Sequence, residues 1–321
     1  MYSISRLSIL PSIQTPLGAL PARFRRTRVL IIGCGDVGLR VARLLAKRVR
    51  VLALTSSTDR IPSLRAQGIV PLLGNLDHTA SLRRLAGLGH RVVHLAPPAA
   101  VGGADTRTRS LLGTLWSRTL PRALVYGSTS GVYGDCGGGW VSESHGLNAR
   151  TERALRRVDA ETRVRRWGQA SLAAVCILRI PGIYAPDREG GTPRTRLLKG
   201  LPVLNADQDV FTNHIHADDL ARACILALWR GKPQRVYNVN DDTNLKMGDY
   251  FDLAADLYGL ARPPRFSRAE ACAQLSPMQL SFMGESRRLV NSRVKYELGL
   301  RLRYPHVQLG LGGAGALVMR G

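Results

Sequence analysis

From Arg28 onward the chain alternates short apolar runs with stretches whose apolar residues recur at helical spacing. That alternation marks a parallel sheet crossed by helices, because strands buried on both faces read as near-continuous apolar runs. The runs predict strands over 29–32, 49–54, 69–73, 91–95, 123–128 and 173–180. Helices are expected between them near 37–47, 61–67, 79–86, 106–118 and 150–167. Six strands with crossover helices make a Rossmann-type, doubly wound α/β sheet. Its ligand crevice lies beyond the strand C-termini, where the strand order reverses. After Gly190-Gly191-Thr192-Pro193 the pattern loosens, with one clear helix over Asp218–Trp229 and a returning strand over Arg235–Asn240. We therefore expect a Rossmann domain over 28–185 and a smaller substrate lobe over 186–321 that shares elements with it. Residues 1–27 hold four arginines, no acid, and Pro11, Pro16 and Pro21, which break any helix; a disordered extension is expected there. The glycine-rich tail from Gly310 has no expected element.

The first strand runs straight into Gly33-Cys34-Gly35-Asp36-Val37-Gly38, and an amphipathic helix follows. A strand, G-x-G-x-x-G and a helix in that order put a dinucleotide pyrophosphate on a helix N-terminus. Gly33 serves the tight turn, Gly35 the approach of the backbone to the phosphates, and Gly38 close packing of helix on strand; Asp36 and Val37 lie in the same loop. In many such folds the second strand ends in an acid that binds the ribose 2′-hydroxyl of NAD. Here it ends Leu54-Thr55-Ser56-Ser57, with Asp59-Arg60 beyond. Hydroxyls and an arginine suit a 2′-phosphate better, which favours NADP over NAD; an ordinary Ser/Thr cap for the next helix explains the hydroxyls equally well. Asn75 and Leu76 are placed to edge an adenine pocket. Ala96 and Pro97, ending the fourth strand, either floor the nicotinamide side or simply begin a loop.

Charge adds less than its size suggests. The formal net charge is +23, yet only five of the 46 basic residues are lysines, and the arginines are spread along the whole chain. No aromatic interleaving and no nucleic-acid motif accompany them, so a nucleic-acid partner is not expected. Arg150–Arg166 carries seven arginines but also Glu152, Asp159 and Glu161, as a solvated helix face does. Five scattered cysteines without C-x-x-C spacing point to a reducing compartment, the cytoplasm, and to no zinc site. No apolar run reaches the ~20 residues that span a bilayer, so no membrane partner is expected.

Several segments, in order, resemble one family. Gly33–Gly38, then Val125-Tyr126-Gly127-Ser128-Thr129-Ser130-Gly131-Val132-Tyr133-Gly134, then Leu178-Arg179-Ile180-Pro181-Gly182-Ile183-Tyr184-Ala185-Pro186 look like extended short-chain dehydrogenase/reductases, the NAD-dependent epimerase/dehydratase-like proteins. His214-Ile215-His216-Ala217-Asp218-Asp219-Leu220-Ala221, Tyr237-Asn238-Val239-Asn240-Asp241 and Arg288-Leu289-Val290-Asn291 continue the likeness to about residue 310. The resemblance implies NAD(P) binding, a small-molecule substrate, a homodimer, and cofactor contacts from Pro181 and Ile183. It also implies a substrate-bonding hydroxyl at Thr129.

The likeness breaks where the family carries Tyr-x-x-x-Lys on the helix after the fifth strand. Counting back from Ala160-Glu161, those positions hold Arg153 and Arg157. An arginine stays protonated and cannot act as general acid or base, although Arg157 can still contact a ribose or phosphate. Tyr133 and Tyr184 are then the nearest displaced proton carriers, or else packing residues. Glu143 and His145 are candidates only because the glycine-rich 137–146 loop can fold over the site. His214 and His216, two apart on a strand, invite a metal reading, but no third ligand is spaced to complete it and none is expected. Two functions follow: an NAD(P)-dependent oxidoreductase or epimerase of atypical mechanism on a sugar-nucleotide-like or small carbonyl substrate, or a catalytically inactive NAD(P)-binding sensor or partner protein.

Overall fold

The computed structural model describes residues 26–312; the extension through residue 25 and the tail beyond 312, with the expectations attached to them, lie outside the described residues. A central sheet of seven parallel strands is built from β1 (Arg28–Ile32), β2 (Arg50–Thr55), β3 (Val70–Leu73), β4 (Arg91–His94), β5 (Ala123–Thr129), β6 (Ala174–Ile180) and β7 (Arg235–Asn238). Their order is β7-β6-β5-β4-β1-β2-β3, so the direction of travel reverses between β1 and β4. Helices α1 (Asp36–Leu45), α2 (Arg60–Ala66), α3 (Thr106–Trp116), α4 (Glu152–Ser171) and α5 (Ala217–Arg230) cross over between strands.

The six expected strands all form, and a seventh joins them. The returning segment Arg235–Asn238 pairs with β6 in parallel, Val236 opposite Ile177. Helix α5, which precedes it, packs against α1 on one face of the sheet. The first seven-stranded layer therefore draws elements from both sides of residue 185. Residues 79–86, expected as an α-helix, form a 3-10 helix over Thr79–Leu85 instead. The reason is local: the Ser81 hydroxyl binds the carbonyls of Asn75 and His78, which tightens the turn.

Strand periodicity sorts the core into two layers. Val29, Ile31, Val51 and Ala53 face α1 and α5, meeting Val41, Leu45, Ala221 and Leu228. Leu30, Ile32, Leu52 and Leu54 belong to the layer under α3 and α4 with Leu111, Leu115, Val164 and Trp167. A third apolar cluster, around Leu204, Tyr250, Phe251 and Ala254, holds the smaller lobe, whose main helix is α6 (Met247–Tyr258). Among the described residues no helix is long and apolar enough to cross a membrane.

One polar node interrupts the apolar layers behind the site. Glu161 of α4 and Arg179 of β6 form an ion pair at 2.9 Å with side chains 0% and 3% exposed. Ser128 donates to Glu161 at 2.7 Å, and Arg165 donates to its other oxygen at 3.0 Å. Arg179 also bonds the Glu143 carbonyl and lies over the Tyr133 ring, 4.7 Å from its centre. Every acceptor of the carboxylate is thus engaged, the condition under which a buried pair is tolerated. Glu161→Gln would leave the Arg179 guanidinium buried without its counter-charge, and should cost about 3–5 kcal/mol in denaturant unfolding. A loss under about 1 kcal/mol would mean that the node is not what holds β5, β6 and α4 together.

Candidate functional site

The glycine loop sits at the strand-order reversal, and each glycine there has its own steric reason. Gly33 has φ +86°, and a Cβ on it would lie 2.3 Å from the Ala96 nitrogen at the end of β4. A Cβ on Gly38 would come 2.7 Å from the Gly33 carbonyl oxygen, so α1 could not pack so close. Around Gly35 a Cβ would meet nothing within 4 Å, because that position faces an open cleft. A turn closed on two sides and open on the third fits a pyrophosphate laid against backbone amides at the start of α1.

The cleft continues in both directions. Toward β2 a cavity of about 220 Å³ is walled by Gly33, Gly35, Thr55, Ser56, Asn75 and Leu76. Ala96 and Arg60 complete it, together with Arg107, which sequence reasoning did not single out. The Arg60 guanidinium donates to the Cys34 carbonyl at 2.6 Å, crossing from α2 to the glycine loop. Arg107 is gripped by Asp77 through two bonds of 2.7 and 2.6 Å. Among the described residues no carboxylate lines this cavity. Pro97 stays outside the lining, and its carbonyl accepts from Arg107 at 3.3 Å. The Thr55 hydroxyl accepts from the Ser57 amide at 3.3 Å, a local turn at the strand end; the next helix is preceded by Asp59 without a side-chain cap bond, so these hydroxyls do not cap it.

Toward the smaller lobe, a cavity of about 310 Å³ is bounded by Asp36, Val37 and Gly38 on one side and by Thr129, Arg157, Pro181 and Ile183 on the other. Arg157 donates to the Gly127 carbonyl at 2.7 Å and the Tyr126 hydroxyl at 3.0 Å, which fixes its guanidinium under the cleft. Thr129 and Pro181 also line a further chamber of about 230 Å³. Arg153, one helical turn before Arg157, lines that chamber with Glu285 and Arg287 opposite. Thr129 Oγ1 accepts from the Gly131 amide at 3.2 Å, which leaves its own proton for a ligand oxygen. Among the described residues Glu285 is the one carboxylate lining the chamber, and Arg287 donates to it at 2.7 Å. Neither Glu285 nor Arg287 carries a local signal; the chain returns from the far end to place them.

Several expected site residues lie elsewhere. Tyr133 is not a proton carrier exposed to the cleft. Its side chain is fully buried, its hydroxyl donates to Asn238 at 2.7 Å, and burial pushes the phenol pKa up. The 3-10 turn Ser130–Tyr133 rolls this ring into the interior beneath the 137–146 loop. Glu143 is buried as well, accepting from the Asn238 amide at 3.0 Å, and His145 packs edge-on to Tyr133. Tyr184 lies edge-on to both His214 and His216. His214 stacks on Tyr250 at 4.1 Å, and burial pushes its pKa down to about 4. His216 stacks on Tyr304 at 3.7 Å, and its Nδ1 accepts from the Asp218 amide. Within the Arg150–Arg166 run, Arg156, Arg163 and Arg165 pair with Glu152, Asp159 and Glu161.

Comparison with known proteins agrees with this architecture. The family model for the NAD dependent epimerase/dehydratase family matches residues 29–240. The chain belongs to that family, of the extended short-chain dehydrogenase/reductase type. A conserved protein of unknown function from Silicibacter pomeroyi is 30% identical, aligning over 90% of this chain and 98% of its own with a TM-score of 0.76. UDP-glucose 4-epimerase from Thermotoga maritima, solved with UDP-glucose, is 17% identical over 89% of this chain and 96% of its own, TM-score 0.73. dTDP-glucose 4,6-dehydratase from Bacillus anthracis, solved with NAD, is 16% identical over 89% and 94%, TM-score 0.73. Among curated proteins no sequence matches.

The geometry makes two predictions. Gly35→Asp sets a carboxylate in the open side of the turn and should weaken NAD(P)H binding by roughly a hundredfold or more in calorimetric titration, with little loss of stability. An unchanged affinity would mean that the phosphates do not pass Gly35. The second concerns His94, fully buried at the end of β4, whose Nε2 bonds Thr108 Oγ1 at 2.9 Å. Burial, and then the Arg157 charge, lower its pKa to about 3, whereas the unfolded chain takes up a proton near 6.5. The unfolded state therefore binds more protons between those values, and stability falls as pH drops from about 6.5 toward 3. His94→Gln should flatten that stretch of the stability–pH curve; equal slopes for both proteins would refute the assignment.

Proposed function

We propose that this protein binds NADP(H), in preference to NAD(H), along the cleft and acts as an oxidoreductase or epimerase on a hydroxyl- or carbonyl-bearing small molecule. The observation that carries the reading is the shared lining of cleft and chamber by Thr129, with Arg157 and Arg153 one helical turn apart beneath them. Thr55, Ser56 and Arg60, in a cavity with no carboxylate among the described residues lining it, favour a 2′-phosphate over a bare 2′-hydroxyl. The fit of the glycine loop to a pyrophosphate and the family membership support the same cofactor class. The sugar-nucleotide substrates named for the Thermotoga maritima neighbour support a sugar-nucleotide-like or smaller carbonyl compound here.

When bound, the nicotinamide supplies hydride acceptance or donation. The chain's own residues supply the rest. Thr129 donates a hydrogen bond from its hydroxyl to the reacting oxygen, and Arg153 and Arg157 supply fixed positive charge for the oxyanion that develops there. Neither arginine transfers a proton, so the mechanism departs from a phenol–ammonium pair. Five free cysteines support a reducing, cytoplasmic setting, and family membership supports a homodimer.

Titration with NADPH and NADH in parallel, followed by a carbonyl and sugar-nucleotide panel read at the nicotinamide absorbance, tests this. We expect NADPH to bind at least roughly tenfold tighter, with the gap closed by Arg60→Ala. Thr129→Val should lower turnover by roughly ten- to a hundredfold with the cofactor affinity retained. Tight NADPH binding with no turnover on any substrate would favour the sensor reading instead; no binding of either nucleotide would overturn the cofactor assignment.

A further inference from the structure

Arg188 lies in the loop that follows residues 182–184 and lines the cofactor cavity opposite Gly35 and Gly38. Nothing in the motifs singles it out. Its Nη1 is buried without a hydrogen-bond partner, and the nearest carboxylate oxygen, on Asp36, stands 3.9 Å away, too far for a bond. The loop is braced to hold it there. The Gly191 amide donates to the Arg188 carbonyl at 2.9 Å and the Arg188 amide to Ala185 at 3.2 Å. A Cβ on Gly191 would fall 2.7 Å from that of Arg188, so only glycine lets the turn close against the arginine stem. Next to it Asp187 binds Arg40 of α1 at 2.6 Å, and Arg40 in turn binds Asp218 at 2.5 Å and Asp36 at 3.2 Å. The loop is thus tied across the first turn of α1.

That first turn poses an electrostatic problem. Asp36 puts a carboxylate beside the position where a doubly charged pyrophosphate would lie. Arg40 answers part of it, but Arg40 is 9% exposed at its side chain and lies outside the cavity lining. Arg157 and Arg188 both line this cavity, but Arg157 is engaged by Gly127 and Tyr126, whereas Arg188 stands on the loop side with Asp36 3.9 Å away. The geometry points to Arg188 as the pyrophosphate anchor of this cleft, clamping the cofactor from the loop side while the α1 amides hold it from the other. The inference rests on the cofactor reading proposed above.

Two ligands separate the outcomes. NADPH carries the pyrophosphate; adenosine 2′-monophosphate carries adenine and the 2′-phosphate without it. We expect Arg188→Gln to raise the Kd for NADPH roughly ten- to a hundredfold, as loss of a charge-assisted bond does, and to leave that for adenosine 2′-monophosphate within about twofold. The ligand-free melting curve, compared with wild type, checks that the variant is folded. Unchanged NADPH affinity in Arg188→Gln, or equal weakening of both ligands in a folded variant, would overturn the anchor. Failure of the wild-type protein to bind NADPH would instead remove the cofactor reading on which it rests.

Discussion

The buried pair between Glu161 and Arg179 is the constraint from which the site takes its shape. It fixes α4 against β5 and β6 at the level where both strands end, and Ser128, one residue before Thr129, is bonded into it. Helix α4 cannot rotate without breaking the pair. Its rotation sets which side chains face the cleft: Arg157, one turn before Glu161, and Arg153, one turn before that. The same node holds Tyr133 beneath Arg179 and ties the 137–146 loop through the Glu143 carbonyl. An apolar pair of equal volume would pack there at comparable stability, but it would carry no directional bonds to set the register of helix on sheet. Here the polar node supplies orientation more than cohesion.

The arginine excess reads differently once its partners are visible. With twice as many basic as acidic residues, ion pairing cannot use all the guanidinium groups. Many terminate on backbone carbonyls that secondary structure leaves open. Arg28 reaches Leu88, Arg91 reaches Leu228, Arg230 reaches Leu298, Arg293 reaches Val236 and Arg288 reaches Gly138. Such bonds staple loops and helix C-termini to neighbouring elements, a use for which a rigid, permanently charged fork suits better than a lysine ammonium. The charge is distributed through the scaffold as cross-links, and that accounts for its even spread along the chain better than a binding stripe does.

What the sequence made legible follows from how local each signal is. Strand positions up to Ile180 are carried by runs of four to seven residues, helix positions by periodic stretches of up to 20, and the glycine loop by six; such patterns survive without knowledge of partners. The seventh strand was readable as a strand but not as part of the sheet, because its pairing with β6 is decided over some sixty residues of intervening chain. Thr129 and Arg157 could be placed because α4 and β5 are regular. Tyr133 stayed open between proton carrier and packing residue, and the structure shows packing; its direction depends on a four-residue 3-10 turn, where one residue of phase exchanges cleft for core. Glu285, Arg287 and Arg107 reach the site through loops or a helix start, and no periodicity points to them. Legibility ends where side-chain direction is set by long-range packing.

On the proposed reading, two permanent cations, Arg153 and Arg157, stand in place of a titrating pair, and that would change what the site can demand of a substrate. A phenol held near an ammonium gives up or takes a proton near neutrality, and its turnover follows that ionisation. Arginines one turn apart do neither; they stabilise negative charge as it forms and hold a donor geometry that pH does not alter. Arg157 already gives two bonds to Gly127 and Tyr126, so it acts as a fixed charge more than as a mobile ligand. On the reading proposed above, Thr129 gives a hydrogen bond to the reacting oxygen, while Glu285, among the described residues lining the chamber, is held by Arg287. On that proposed reading such a site would work best on substrates whose own proton is easily lost or whose oxyanion is already partly formed, and the missing phenol would restrict substrate chemistry.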